Sequence, residues 1–351
     1  MSTTRAKKPA KGVRHQPRST RPSRSTLRLL VALDGPSASA NAPIDTAAAL
    51  LKAHRARAEA VSAINPFAAA WLSVGAPVAA AGEAALRAEQ RQRRIELRRY
   101  VADRTGARRP WPVLIPLGTP ANAILEAARN ADLVVMGLHR EHLLERIIHD
   151  ATTLHVVRES NVPVLAVAPD LGGMPRTVVV AVDFSRESDA AARLACTLFT
   201  GCARLVLLHV ESDFDAAIAN LDEITRLARE DGWAAAFERL VNTLPVPPGA
   251  KVETAVVRGT VPGTLIAFAK RRGADVLVAA RKRHDLAERV LTGTVTGGLV
   301  RRAPCSLLIT PPDFADASAD APSRSRRQRA AMRAASVRRS GGPRSRSDGR
   351  A

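Results

Sequence analysis

Apolar and polar residues fall into two kinds of block along this chain, and the blocks alternate. In the C-terminal half, 177–184 (TVVVAVDF) is a continuous apolar run that ends at Asp183. Such a run suits a parallel strand buried on both faces. Residues 188–199 follow with helical spacing, with Ser188 placed as the cap. The pattern then predicts a strand at 203–210, a helical region at 213–243 interrupted near Gly232, and a strand at 251–257. A helix at 262–272, a strand at 275–280, a helix at 293–302 and a fifth strand at 305–310 complete the half. The N-terminal half gives the same order, with strands at 27–34, 58–64, 112–117, 132–137 and 162–168. Its helices include 46–56 and a highly charged segment at 80–104. Strands alternating with helices imply a parallel, doubly wound sheet in each half.

The halves are also versions of one another in sequence. Gly118 answers Gly259, Asp132 answers Asp275 and Pro163 answers Pro304, at an offset of 141 to 143 residues. A repeat of that length is a whole domain duplicated, since solenoid units run to about 20–50 residues. Each fifth strand is apolar, and left as a free edge it would invite unwanted pairing. Fusion raises the effective concentration of one half around the other. The two halves are therefore expected to dock as an intramolecular pseudo-dimer, with further homo-oligomerisation open.

The strand ends and the segments after the fourth strands carry the candidate chemistry. Asp34 and Asp183 end the two first strands. After the fourth strand of the C-terminal half come Ala280, Arg283 and, nine residues on, Gly293, Thr294, Val295 and Thr296. The N-terminal half has Gly137, Arg140 and then Asp150-Ala151 at the same spacing. This organisation resembles the universal stress protein family in a tandem, two-domain form. The resemblance implies two five-stranded parallel-sheet domains of the adenine-nucleotide-binding, flavodoxin-like layout. ATP-binding members of the family carry Gly-x-x-Gly, nine residues, then Gly followed by Ser or Thr. The first and fourth strands flank the topological switch point, where such sheets bind ligands. Glycines let backbone approach phosphate, and a helix N-terminus offers free N–H groups.

Carried over residue by residue, neither copy is complete. The C-terminal copy keeps Asp183 and the closing Gly293-Thr294-Val295-Thr296, but Ala280 and Arg283 stand where the two glycines would be. The N-terminal copy keeps Asp34 and Gly137, while Arg140 replaces the second glycine and Asp150 would repel phosphate. The resemblance thus implies weak ATP binding confined to the C-terminal copy. Arg140 and Arg283 could each pair with a phosphate or sit in a solvated loop. Asp34, Asp183 and Gly293 serve equally well as ordinary turn residues.

The formal net charge is +20, of which residues 1–26 hold +8 and residues 322–351 hold +9, leaving +3 for the body. Both ends are rich in Pro, Ser and Arg and lack aromatics, so they are expected to be disordered. The organisation expected is a basic tail at 1–26, a first domain at 27–169, a linker at 170–175, a second domain at 176–313 and a basic tail at 314–351. Arginine without aromatics means electrostatic contact with a polyanion such as nucleic acid, not base stacking. No apolar run is long enough for a membrane span, and the basic N-terminus, without an apolar stretch after it, is not expected to act as a secretory signal. Three cysteines without metal spacing fit a reducing compartment, taken as the cytoplasm. His139, His142 and His149 lack the pattern of a metal site, so no metal is predicted, and no nucleophile–base set appears at a recognisable catalytic spacing. Three functional readings stay open: a stress-response regulator that binds ATP weakly, a nucleotide-free interaction scaffold, and a nucleic-acid-associated protein acting through its tails.

Overall fold

A computed structural model describes residues 26–65, 83–107, 109–138, 143–211, 223–282 and 295–319. Residues 1–25 and 320–351, the loops that hold Arg140 and Arg283, and Gly293 and Thr294 lie outside those residues.

The strands are β1 (Leu27–Ala32), β2 (Ala56–Val61), β3 (Val113–Leu114), β4 (Leu133–Gly137) and β5 (Val164–Val167), then β6 (Thr177–Ala181), β7 (Arg204–Glu211), β8 (Lys251–Arg258), β9 (Val276–Ala280) and β10 (Ser306–Thr310). The helices are α1 (Asn41–Ala53), α2 (Glu83–Thr105), α3 (Pro120–Ala128), α4 (Leu143–Glu159), α5 (Arg186–Leu198), α6 (Glu223–Thr243), α7 (Val261–Arg272), α8 (Val295–Arg302) and α9 (Phe314–Ala319). All ten strands form one sheet in the order β3-β2-β1-β4-β5-β10-β9-β6-β7-β8. Every neighbouring pair is parallel except β5 and β10. These two meet antiparallel, with Val164 opposite Ile309, Leu165 opposite Leu308 and Ala166 opposite Leu307. The two apolar edges that needed cover therefore cover each other.

The continuous runs behave as buried parallel strands. Val178, Val179 and Val180 of β6 are each 0% exposed although successive side chains point to opposite faces. Val178 and Val180 join one core layer with Ile44 of α1, Leu97 of α2, Ala191 of α5 and Phe237 of α6. Val179 joins the other, with Ile124 of α3, Val156 of α4, Leu265 of α7 and Leu299 of α8. Each layer runs across both halves, so the docked halves share one sheet and two helical faces.

The repeated residues prove to be structural ties. Asp275 accepts hydrogen bonds from the N–H groups of Arg176 and Thr177 at 2.7 and 2.8 Å, binding the start of β9 to the start of β6. Asp132 does the same for Arg28 at 2.9 Å and also accepts from its guanidinium. Gly118 and Gly259 both turn the chain with positive φ, +132° and +138°.

Four local expectations need correction. Ser185, not Ser188, caps α5: its backbone is extended and its hydroxyl accepts from the Ser188 N–H, while Ser188 is buried one turn in. The helix α6 runs through Gly232 without a break. Helix α1 starts five residues before 46, because Pro43 in its first turn needs no hydrogen-bond donor there. The C-terminal tail, expected from 314, begins instead with α9, held on α5 by an Arg186–Asp316 ion pair of 2.9 Å.

Candidate functional site

Each half has its switch point where the first and fourth strands lie side by side, β1 with β4 and β6 with β9. In the N-terminal half the carboxyl ends of β1 and β4 open on a cavity of about 160 Å³. Its walls include Asp34, Gly137, Thr152 and Thr153, with Arg93 reaching in from α2. The Arg93 guanidinium donates to the Asp34 carbonyl at 3.3 Å. The sequence resemblance set Asp34 and Gly137 at one degenerate site, and both line this cavity, where β1 pairs with β4. It missed Thr152 and Thr153, which follow Asp150-Ala151 directly and could have been read as the hydroxyl pair of a shifted Ser/Thr position. Arg93 carried no such signal, since it arrives from a helix 59 residues away.

The C-terminal switch point is arranged differently. Asp183, two residues past the end of β6, is exposed on one side and ion-paired with Lys282, which follows β9 by two residues. Its carboxylate also accepts from the Ser185 N–H at 3.0 Å. Burial alone would raise the Asp183 carboxyl, but the hydrogen bonds from Lys282 and Ser185 outweigh it and hold the group at about 2. Asp189, in the first turn of α5, is raised chiefly by burial; the Arg193 charge opposes that, and the Asp183 charge adds a smaller upward push. Ala280 ends β9, and Val295 and Thr296 open α8. Arg283, Gly293, Thr294 and, in the other half, Arg140 lie outside the described residues.

Between Ala280 and Arg283, Arg281 leaves the site altogether. Its guanidinium donates to the carbonyls of Val157, Arg158 and Ser160 at the end of α4, in the other half. Burial lowers its pKa, and the Glu159 charge opposes that shift.

Phe184, directly after Asp183, has φ +60° and is, among the described residues, the sole non-glycine with positive φ. Its ring packs edge-on to Phe237 at 5.0 Å and tilted on His209 at 5.1 Å. The His209 Nδ1–Val182 carbonyl contact of 2.9 Å ties that ring to the end of the first strand. The repeat held the clue to this backbone: Gly35 stands at the matching place after Asp34 and also has positive φ, +153°.

A family model described as the universal stress protein family matches the chain twice, over residues 26–168 and 174–311. The chain belongs to the universal stress protein family. It carries the family's domain in tandem. A solved universal stress protein from Archaeoglobus fulgidus matches with a TM-score of 0.55 and 17% identity, over 81% of this chain and 96% of that one. A protein of unknown function from Pseudomonas aeruginosa matches with a TM-score of 0.49 and 13% identity, over 84% of this chain and 95% of that one. A universal stress protein solved in complex with cAMP matches over 39% of this chain and 97% of its own, with 24% identity and a TM-score of 0.28. No curated protein sequence matches. Among the described residues no group of His, Cys, Asp and Glu gathers as metal ligands, and no helix is long and apolar enough to cross a membrane.

Proposed function

We propose that this universal stress protein is a regulator that binds an adenine nucleotide weakly at a switch point. The observation that carries the reading is the cavity in the N-terminal half. Its donor set suits the polar part of a nucleotide: Gly137 backbone for close approach, the Thr152 and Thr153 hydroxyls and the Arg93 guanidinium for phosphate, and the Asp34 carboxylate for a hydroxyl. The described walls enclose about 160 Å³ of the ~300–1,000 Å³ usual for small-ligand pockets.

A second reading, favoured by the sequence, puts ATP in the C-terminal half. It rests on Gly293 and Thr294 as phosphate-facing turn residues, with Val295 and Thr296 opening α8, Asp183 at the strand end, and Ala280 and Arg283 in place of glycines. Against it, Lys282 already occupies Asp183. Calorimetric titration of ATP into the full chain separates the two. Loss of heat in Gly137→Asp with retention in Gly293→Asp supports the N-terminal site. The reverse pattern supports the C-terminal one. No heat in the wild type rejects both and leaves the nucleotide-free scaffold.

A cytoplasmic location and a stress-response role belong to this same proposal. So does polyanion contact through the basic ends, whose joint net charge of +17 supports it.

A further inference from the structure

Helix α2 spends most of its length on the surface. Of its 23 residues only Leu97 and Val101 are buried. At about 100° per residue, Arg87, Arg91, Arg94 and Arg98 fall within an arc of about 60° on the solvent side. All four are exposed. Ile95 lies beside them, 63% exposed. Ala84, Ala88 and Ala102 continue that strip, so no bulky side chain stands over the arginines. The acids Glu89, Glu96 and Asp103 fall on a separate strip roughly 120–160° round from Arg91. Arg87 has a partner in Glu83. Among the described residues, Arg91, Arg94 and Arg98 have neither an ion pair nor a hydrogen bond.

This arrangement works against the helix. Arg87–Arg91 and Arg94–Arg98 are like charges at i,i+4, each costing roughly 0.2–0.5 kcal/mol. Neighbouring positions show that pairing was available, since Arg99 finds Asp103 within α2 and Arg104 finds Asp45 of α1. The unpaired guanidinium groups of Arg91, Arg94 and Arg98, in line with the Glu83-paired Arg87, therefore mark a surface complementary to a row of anions.

We propose that the Arg87–Arg91–Arg94–Arg98 stripe docks along the phosphodiester backbone of a nucleic-acid duplex without reading its sequence. The stripe is about 17 Å long at 1.5 Å per residue, and one strand of duplex presents a phosphate about every 3.4 Å of axis. Successive phosphates lie farther apart along the strand than their rise along the axis, so the stripe matches the phosphates that Arg91, Arg94 and Arg98 would each contact. A single isoleucine flanked by alanines is too little apolar surface for a helix lying in a membrane interface, and the absence of aromatics on the stripe leaves nothing to stack on bases. The chain's net charge of +20 steers it toward the same partner.

The test is fluorescence anisotropy of a mixed-sequence 20-base-pair DNA duplex titrated with the full chain at several salt concentrations. Wild type is compared with Arg91→Gln/Arg94→Gln/Arg98→Gln and with a tail variant, Arg324→Gln/Arg326→Gln/Arg327→Gln. Glutamine has nearly the helix propensity of arginine, so α2 and its circular dichroism should persist. Loss of three phosphate contacts should lower the slope of log K against log salt by about 2.7. Affinity at 0.1 M salt should fall about tenfold or more. Three results would overturn the proposal: no duplex binding by the wild type, an unchanged slope in the helix variant with loss confined to the tail variant, or loss by the helix variant only on phosphatidylserine vesicles.

Discussion

Arg281 offers the sharpest test of how the two halves hold together. It starts at the end of β9 in one half, and its guanidinium ends on the last carbonyls of α4 in the other. Those carbonyls are the orphan acceptors of a helix C-terminus and carry the negative end of its dipole. The Nη2–Ser160 carbonyl bond is 3.1 Å long, and Nη1 serves Val157 and Arg158. A hydrogen bond to a charged group is worth roughly 1.5–3 kcal/mol. The contributions do not add fully, because water can reach helix-end carbonyls once the arginine is gone. Arg281→Met keeps the aliphatic stem and removes the donors, so it should cost about 2–4 kcal/mol, within the range for truncating a partly buried charged donor. Arg281→Lys keeps the charge but not the fork, and should fall between. The assay is urea unfolding of the full chain followed by circular dichroism. Wild type should unfold in one transition, and Arg281→Met at lower urea, with the halves beginning to separate into two steps. A methionine variant within about 0.5 kcal/mol of wild type, with unchanged cooperativity, would show that the contact adds nothing to docking.

Three further outcomes are expected. Asp183 titrates at about 2 when folded, against about 3.9 in an unfolded chain; its stabilising contribution is therefore full above pH 4 and disappears as pH falls through 2. The urea midpoint of wild type should drop more steeply across that window than that of Asp183→Asn, and parallel curves would refute the Lys282–Asp183 pair; the group's partial exposure keeps the amplitude small. Gly118→Ala and Gly259→Ala should each lose roughly 1–3 kcal/mol from backbone strain. The second should lose more, because its new Cβ would lie 2.6 Å from Thr264 Oγ1 whereas the first meets nothing within 4 Å; equal thermal shifts, or no relief of Gly259→Ala by Thr264→Ala, would count against the clash. Burial, with a smaller push from Cys202, raises the Cys196 thiol to about 11, and all three cysteines are buried. Ellman's reagent at pH 8 should therefore react only as fast as the protein unfolds, and rapid labelling of the native chain would contradict that packing.

Much of this architecture was legible along the chain because its determinants are local. A buried parallel strand needs an unbroken apolar run, and β6 is such a run with Val178 to Val180 wholly enclosed. The duplication was visible because Asp132 and Asp275 make the same tie between the first and fourth strands. Asp34 and Gly137 could be set at one switch point in advance because the family resemblance places the first and fourth strands side by side, as β1 and β4 are here. Where a local rule competes with packing, the pattern misleads: Gly232 weakens a helix by about 1 kcal/mol, yet Phe237 and Leu240 bury against the core and carry α6 past it. Contacts set by side-chain reach between distant elements had no counterpart in spacing. Arg93 meets Asp34 because α2 packs over the end of β1, and Lys282 meets Asp183 because β9 lies beside β6. Arg281 finds α4 only because β5 and β10 pair. Hydrophobic period and turn residues act within a few positions, so the strands, the repeat and the switch points could be read along the chain. Only the packed elements place Arg93 beside the Asp34 carbonyl in the N-terminal cavity and Lys282 against Asp183 at the other strand end, since those contacts depend on how elements far apart in the chain register against one another.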